Sequence, residues 1–186
     1  MAIPVSSHQK SALRKTMRQL LRSLNASSQP VCAALHTWLG QHPDLKTIAV
    51  FSALPGEVNL LEFIIRHPQI TWVYPRIDGH TLAFHAVKNP STDLIMGNFG
   101  IMESSPAHQL IPESEIDAFI CPGLAFDKNG GRLGRGKGFY DRILINARPD
   151  ALKIGVCFPE QLVPETFSEP HDIHMDAVVF EEVESL

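Results

Sequence analysis

Cysteine is scarce in this chain: three residues in 186, at positions 32, 121 and 157, with no CxxC pair among them. A chain of this length, 44% hydrophobic, buries enough surface to fold without a disulfide or a structural metal. Cys121 and Cys157 fall in apolar, strand-like runs, where a thiol serves as a small buried hydrophobe. Runs of about 20 apolar residues are also missing, so no segment reads as a membrane span. The N-terminal stretch carries Lys10, Arg14, Lys15 and Arg18 but no apolar signal core. A cytoplasmic protein with no membrane partner is the expectation. Positive charge is not in excess either. Sixteen Lys and Arg against 20 Asp and Glu give a net charge of −4, which argues against nucleic-acid binding through a basic surface. No repeat, low-complexity tract or linker interrupts the chain, so residues 1–186 are expected to form one domain. No Ser–His–Asp or Cys–His motif marks a protein nucleophile. His171 and His174 stand at HxxH spacing, but without a helical setting or a third ligand for a metal.

What is present is a regular alternation of elements. Ser6 and Gln9 form a capping box before a first helix, on which Leu13, Met17, Leu20, Leu21 and Leu24 make one apolar face. Lys10, Arg14 and Arg18 recur at steps of four on another face, which by itself reads as a solvated basic stripe. Ser27, Ser28 and Pro30 open a second helix that buries Val31, Ala34, Leu35, Trp38 and Leu39, and Gly40 with Pro43 closes it. Thr47-Ile48-Ala49-Val50-Phe51 is a continuous apolar run of the kind covered on both faces. Leu54-Pro55-Gly56-Glu57 is a turn, and Asn59 caps a third helix extending through Arg66. Ile70-Thr71-Trp72-Val73-Tyr74 is a strand stopped by Pro75, residues 81–87 are a more exposed strand, and residues 88–114 read mostly as loop. A buried strand at Asp117-Ala118-Phe119-Ile120-Cys121, a helix over residues 140–147, and strands at residues 153–158 and 177–180 complete the pattern. Strands alternating with helices predict an α/β fold: a largely parallel sheet covered by helices on both faces, Rossmann-like and three-layered. Ligands of such sheets lie at the carboxyl ends of the strands. Glu57, Pro75-Arg76 and the glycine-rich stretch described next each follow a strand and can converge there.

That stretch is Gly130-Gly131-Arg132-Leu133-Gly134-Arg135-Gly136-Lys137-Gly138-Phe139-Tyr140-Asp141-Arg142. Backbone N–H groups of a glycine-rich turn ahead of a helix suit a phosphate. Gly131 with Gly136-Lys137 matches GxxxxGK, yet Gly138 stands where a P-loop has the Ser or Thr that holds magnesium. The metal-binding group must come from elsewhere, and Asp141 lies one turn further on. A GxGxxG reading fails on spacing and on position late in the chain, and no HRD or DFG sequence supports a protein kinase. Like charges at Arg135 and Lys137 repel unless an anion or acidic neighbours compensate them, which favours phosphate binding.

Residues 122–127, Pro122-Gly123-Leu124-Ala125-Phe126-Asp127, followed by the Arg132-to-Asp141 signature, resemble the 5-formyltetrahydrofolate cyclo-ligase family, also called methenyltetrahydrofolate synthetases. The resemblance extends to Lys10-x-x-x-Arg14, residues 51–57, Tyr74-Pro75-Arg76, Phe99-Gly100-Ile101 and the closing His171-Asp172 to Asp176 segment. It implies an ATP- and magnesium-dependent conversion of 5-formyltetrahydrofolate into 5,10-methenyltetrahydrofolate, with ADP and phosphate released. By resemblance, Lys10, Arg14 and the run Arg132, Leu133, Gly134, Arg135, Gly136, Lys137, Gly138, Phe139 and Tyr140 bind ATP. Ser52 and Glu57, with residues 135–139, border the folate, Arg135 and Lys137 carry the chemistry, and Asp141 and Asp176 hold magnesium. Read alone, Asp176 is a strand-start residue and Glu57 an exposed turn glutamate. A carboxylate at Glu57 can accept paired hydrogen bonds from the amino-pyrimidine edge of a pterin. Phe51, Trp72 and Tyr74 are candidates for the folate pocket. The implied partners are small molecules, and the expected assembly is a monomer. Two departures stand out: Phe139 where a tyrosine is common, and extra residues at Glu103-Ser104-Ser105-Pro106 in place of a tighter turn. A binding module without turnover and a phosphotransferase on another amide or carboxylate are the alternatives. The intact Lys10, Arg14, Arg135, Lys137 and Asp141 argue against the first.

Overall fold

The computed structural model describes residues 5–97, 100–181 and 183–185. Helices α1 (Val5–Ser23) and α2 (Gln29–Gly40) precede strand β1 (Thr47–Ala49) and a short helix α3 (Leu61–Ile65). A hairpin of β2 (Thr71–Asp78) and β3 (Thr81–Ala86) follows, then the single turn α4 (Pro90–Asp93). Three short strands come next: β4 (Leu94–Met96), β5 (Met102–Ser104) and β6 (Leu110–Ile111). The C-terminal half comprises β7 (Ala118–Cys121), β8 (Ala125–Phe126), β9 (Arg132–Leu133), α5 (Phe139–Leu144), β10 (Leu152–Val156), β11 (Ala177–Val179) and β12 (Val183–Ser185).

Eight strands form the main sheet in the order β12-β11-β10-β7-β1-β2-β3-β6. The five from β11 to β2 are parallel, and β12, β3 and β6 join antiparallel at the margins. Central β7 shows why the run 118–121 is apolar throughout: every residue is buried, with Ala118 and Ile120 facing one layer and Phe119 and Cys121 the other. The first layer is made by α2 and α3, whose Val31, Leu35, Trp38, Phe63 and Ile64 pack on Ile48, Val50 and Ile120. The second contains Ile143 and Leu144 of α5 against Phe119, Cys121 and Val178. The buried side of α2 is the set read from its periodicity, with a proline in its first turn.

Several elements depart from the sequence reading. Strand β2 does not stop at Pro75 but runs on to Asp78. The N–H of Val87 reaches Trp72 O (3.0 Å), so even-numbered residues of β2 face β3 and odd-numbered ones face β1. The ladder with β1 ends where Val50 N–H bonds Val73 O (2.9 Å), because the next bond would need a Pro75 N–H; that nitrogen faces β1, so the pairing with β3 continues past it. Residues 88–114, read as loop, contain α4 and three strands too short to show a period. A small hairpin of β8 and β9 intervenes after β7, and the first residues of the glycine-rich stretch form its turn and second strand, so residues 134–138 do not follow the buried strand directly. Ser6 falls within α1 rather than ahead of it, and its side chain lies outside the described residues, as does Phe99. Among the described residues no helix is long and apolar enough to cross a membrane.

Asp127 fixes the turn at the tip of the β8–β9 hairpin. Its Oδ1 accepts the N–H groups of Asn129 (2.9 Å) and Gly131 (3.0 Å). Its Oδ2 accepts the N–H (2.8 Å) and hydroxyl (2.6 Å) of Thr166, tying the hairpin to a segment 39 residues away. Burial alone would raise this carboxyl, but the bonds from Thr166, Asn129 and Gly131 outweigh it and hold it below the ordinary carboxylate range. The folded value being depressed, its stabilisation is complete above the unfolded value near ~3.9 and is lost as pH falls through the lower folded value. Asp127→Asn, which turns one acceptor into a donor facing N–H groups, should cost about 2–3 kcal/mol at pH 7. That corresponds to a melting temperature roughly 5–10 °C lower, with a flatter loss of stability below about pH 4. An unchanged melting temperature by circular dichroism would remove Asp127 from this role.

Candidate active site

A cavity of about 570 Å³ opens at the carboxyl ends of the parallel strands, within the usual range of ~300–1,000 Å³ for ligand sites. Phe51 and Ser52 enter it from the end of β1, and Pro122 and Gly123 from the end of β7. From β1 the chain continues to β2 on one side, whereas β7 leads to β10 on the other, so the cavity occupies the point where the sheet order reverses. Pro75 and Ile77 face it from the stretch of β2 that has outrun β1, joined by Leu82 of β3 and by Ile101 and Glu103 beside the β4–β5 hairpin.

Helix α1 lies across the cavity because its apolar face has a place to dock. Met17 and Leu21 are buried against Leu124, Ala125 and Leu133 of the β8–β9 hairpin, with Leu13, Leu20 and Leu24 packed around them. This docking turns the basic stripe toward the glycine loop. Arg14 Nε donates to Gly134 O (3.0 Å) and Arg18 Nη2 to Arg135 O (2.8 Å). The Lys10 ammonium, almost fully buried, is held by Asp172 and by Glu169 (2.9 Å). Burial alone would lower the Lys10 pKa, yet the two carboxylates raise it, so the site keeps a fixed positive charge. The stripe is thus not a solvated face. Arg18, Glu169 and Asp172 had no signal in the sequence beyond the period of four and a family-like C-terminal segment.

Within the loop each arginine is engaged. Arg132 is nearly buried: Nη2 bonds Asp141 Oδ1 (2.9 Å), Nη1 reaches Pro122 O (3.3 Å), and the guanidinium carbon stands 5.3 Å from the centre of the Tyr140 ring. Arg135 binds one oxygen of Glu57 twice, through Nε (2.9 Å) and Nη2 (2.6 Å). Glu57 is the largely buried end of the 54–57 turn, and its other oxygen accepts the Leu54 N–H (2.9 Å). Arg142 braces the loop from α5, donating to the carbonyls of His80 (2.7 Å) and Lys137 (2.8 Å). Lys137 itself is exposed at the cavity, between Gly136 and Gly138, which adopt left-handed backbone at φ 96° and 65°. Burial pushes the Tyr140 hydroxyl well above its ordinary pKa, so it stays a neutral phenol.

The cavity brings together Lys10, Arg14, Ser52, Glu57, residues 132–140 and Asp141. Leu133 lines the cavity and is also part of the core beneath α1. Asp176 is not among the lining residues. It immediately precedes β11, where its Oδ2 accepts the Lys153 N–H (2.7 Å), the strand-start role its sequence position suggests on its own. Trp72 and Tyr74, candidates for the folate pocket, are instead core residues beneath the sheet, Trp72 bonding His67 O (3.0 Å). Their positions in β2 are even-numbered, on the opposite face from Pro75 and Ile77. Residues missed from sequence, Ile77, Leu82, Ile101 and Glu103, enter through the length of β2 and the β4–β5 hairpin.

The chain is similar to known proteins over nearly its whole length. The chain is 33% identical over 185 residues to a 5-formyltetrahydrofolate cyclo-ligase of Mycolicibacterium smegmatis, covering 94% of this chain and 95% of that one. It superposes with a TM-score of 0.84 and 30% identity on the structure of 5,10-methenyltetrahydrofolate synthetase from Aquifex aeolicus, covering 95% of this chain and 92% of the other. The corresponding values for the Mycoplasma pneumoniae 5,10-methenyltetrahydrofolate synthetase are 0.75 and 27%, with 93% and 99% covered. The family description "5-formyltetrahydrofolate cyclo-ligase family" matches residues 6–181, and the chain belongs to that family.

Proposed function

We propose that this protein converts 5-formyltetrahydrofolate and ATP, with magnesium, into 5,10-methenyltetrahydrofolate, ADP and phosphate. The observation that carries the reading is a concentration of unmet hydrogen-bonding capacity. Ser52 Oγ, Glu103 Oε1, Arg132 Nε and Tyr140 Oη are buried without a partner among the described residues, and all four residues line the one cavity that also gathers the cations. Buried polar atoms without partners are costly unless a ligand meets them.

The chemistry needs no protein nucleophile. The formyl oxygen attacks the γ-phosphorus and ADP departs, which turns a poor leaving group into phosphate. N10 then attacks the formyl carbon, phosphate leaves with its electron pair, and the N10 proton is lost to solvent. What such steps require is positioning and neutralisation of charge. Lys10, Arg14 and the backbone of residues 132–140 hold the ATP phosphates. Arg135 and Lys137 stand between the nucleotide and the folate, where charge builds up on the transferring group. Ser52 and Glu57 bound the folate side, and Phe139 supplies an aromatic wall without needing a tyrosine hydroxyl.

Magnesium suits the donors present. Asp141 lines the cavity and gives one oxygen to Arg132, leaving the second for an ion, and magnesium is usually held by one or two carboxylates together with substrate phosphates. Among the described residues no group of three or more His, Cys, Asp or Glu could hold an ion by protein ligands alone, which fits an ion that arrives with the nucleotide. When bound, it neutralises charge on the phosphate oxygens. Asp176, tied to Lys153, stands outside this arrangement.

A mixture of the protein, 5-formyltetrahydrofolate, ATP and magnesium should develop the near-ultraviolet absorbance of the methenyl product. Folate binding or ATP hydrolysis without that band would overturn the reading. Lys137→Ala should lower kcat/KM by about 100-fold or more with the circular dichroism spectrum retained. Loss of folding instead would assign Lys137 a structural role. Gly136→Ala tests the backbone. A Cβ there meets nothing nearer than 3.6 Å, so the change acts through the φ of 96° alone, a strain of about 1–3 kcal/mol. The expected result is an ATP KM raised about ten-fold with little effect on folate KM. An unchanged ATP KM would place residue 136 outside the nucleotide cradle.

A further inference from the structure

Of the four cations within residues 132–142, Arg142 alone does not line the cavity. It is exposed, and an exposed arginine gives up rotamer freedom only where its contacts hold it. This guanidinium is held on three sides. Nε donates to the His80 carbonyl (2.7 Å), Nη2 donates to the Lys137 carbonyl (2.8 Å), and the guanidinium carbon lies 5.3 Å from the centre of the Phe139 ring. Gly138 leaves room for it, since a Cβ there would come within 2.9 Å of Nη1.

The bond to Lys137 falls where the loop backbone has most freedom. Gly136 and Gly138, both left-handed, flank residue 137, and glycine restricts its own backbone least. Fixing the Lys137 carbonyl fixes the whole peptide that follows, because a trans peptide is planar and its N–H points opposite to its C=O. The carbonyl is held by a side chain outside the cavity, so the Gly138 N–H is turned the other way, and Gly138 and Lys137 both line the cavity. The second arm reaches His80, in the turn that joins β2 to β3. Those strands contribute Ile77 and Leu82 to the cavity wall. One side chain therefore sets the glycine loop against the hairpin that bounds the apolar part of the cavity.

We infer that Arg142 is a positioning residue for phosphoryl transfer. It acts through the Lys137–Gly138 peptide, presenting the Gly138 N–H and the root of the Lys137 side chain to the transferring group at a fixed distance from the β2–β3 hairpin. The inference rests on the reaction proposed above. Rate should suffer more than binding, because an error in position is felt most where the reacting atoms must align.

The test follows methenyl formation by wild type, Arg142→Ala and Arg142→Lys, with the KM of each substrate and the circular dichroism spectrum. Arg142→Ala should lower kcat about 10- to 100-fold while each KM stays within about three-fold of wild type and the spectrum is retained. Because the site is exposed, guanidinium chloride at a non-denaturing concentration should restore part of that kcat, and sodium chloride at equal ionic strength should not. Arg142→Lys keeps the charge but loses the planar fork, so it should remain at least about five-fold below wild type. It also carries the test if the alanine variant does not fold. An unchanged kcat in Arg142→Ala, full activity in Arg142→Lys, a loss that guanidinium does not relieve, or failure of both variants to fold would each overturn the assignment while leaving the proposed reaction intact. No methenyl product from wild type would overturn both.

Discussion

The constraint on which this structure turns is the cost of gathering positive charge in one loop. Four cations fall within residues 132–142 of a chain whose net charge is −4. Without compensation they would repel one another and prise the loop from α1. The fold answers with specific partners: Asp141 for Arg132, Glu57 for Arg135, and carbonyl oxygens of His80 and Lys137 for Arg142. Lys10, contributed by α1, is met in the same way by Glu169 and Asp172. Sequence reasoning took the concentration of charge as evidence for an anion, with acidic neighbours as the other way out. The structure supplies those neighbours, so the case for a phosphate rests on the unpartnered polar atoms and on the position of the cavity, not on repulsion alone.

Compensation of this kind depends on α1 being in register. The helix carries its apolar and basic residues on separate faces. Burial of Met17 and Leu21 against the β8–β9 hairpin sets the rotation that points Arg14 and Arg18 at the carbonyls of Gly134 and Arg135. A helix turned by one residue, about 100°, would lose both the core contact and the loop contacts. The hairpin in turn is fixed by Asp127, which binds Thr166 from the segment leading to Glu169 and Asp172. One carboxylate buried beneath the loop thus links the strand pair that receives α1 with the chain that receives Lys10.

How much of this was legible in the sequence follows from how local each feature is. The face of α2, the continuous apolar run of β7 and the parallel core of the sheet were readable, because each is set by a period within one segment. The glycine loop was readable because its composition is unusual and its order matches a family. Features set by a distant partner were not. Pro75 reads as a strand breaker unless its nitrogen is known to face β1, where the ladder stops, and not β3, where it goes on. Trp72 and Tyr74 looked available to a ligand because nothing local says which face of β2 is covered. Glu57 looked like a vacant acceptor because its partner, Arg135, is 78 residues away. The β4–β5 hairpin, three residues to a strand, has no period to read, and with it Glu103 escaped notice as a site residue.

The pairing of the site's cations with carboxylates bears on how substrates enter. A guanidinium or ammonium already withdrawn from water and held by a carboxylate has lost most of its hydration and rotational freedom before a ligand arrives. On the proposed reading, a phosphate that takes over the buried Lys10 exchanges one anion for another, and the carboxylates it displaces have to be met by water or ligand. The released carboxylates, Glu169 and Asp172 on one side and Glu57 on the other, lie at opposite borders of the same cavity and belong to different substrates' neighbourhoods. Arg135 is the shared element: its backbone carbonyl is fixed by Arg18 of α1 while its side chain reaches the 54–57 turn beneath the folate side. An anion arriving at Arg135 therefore loosens Glu57, and a ligand that engages Glu57 frees Arg135. On the proposed reading each substrate would lower the cost of binding the other, a reciprocity carried by the single ion pair between Glu57 and Arg135.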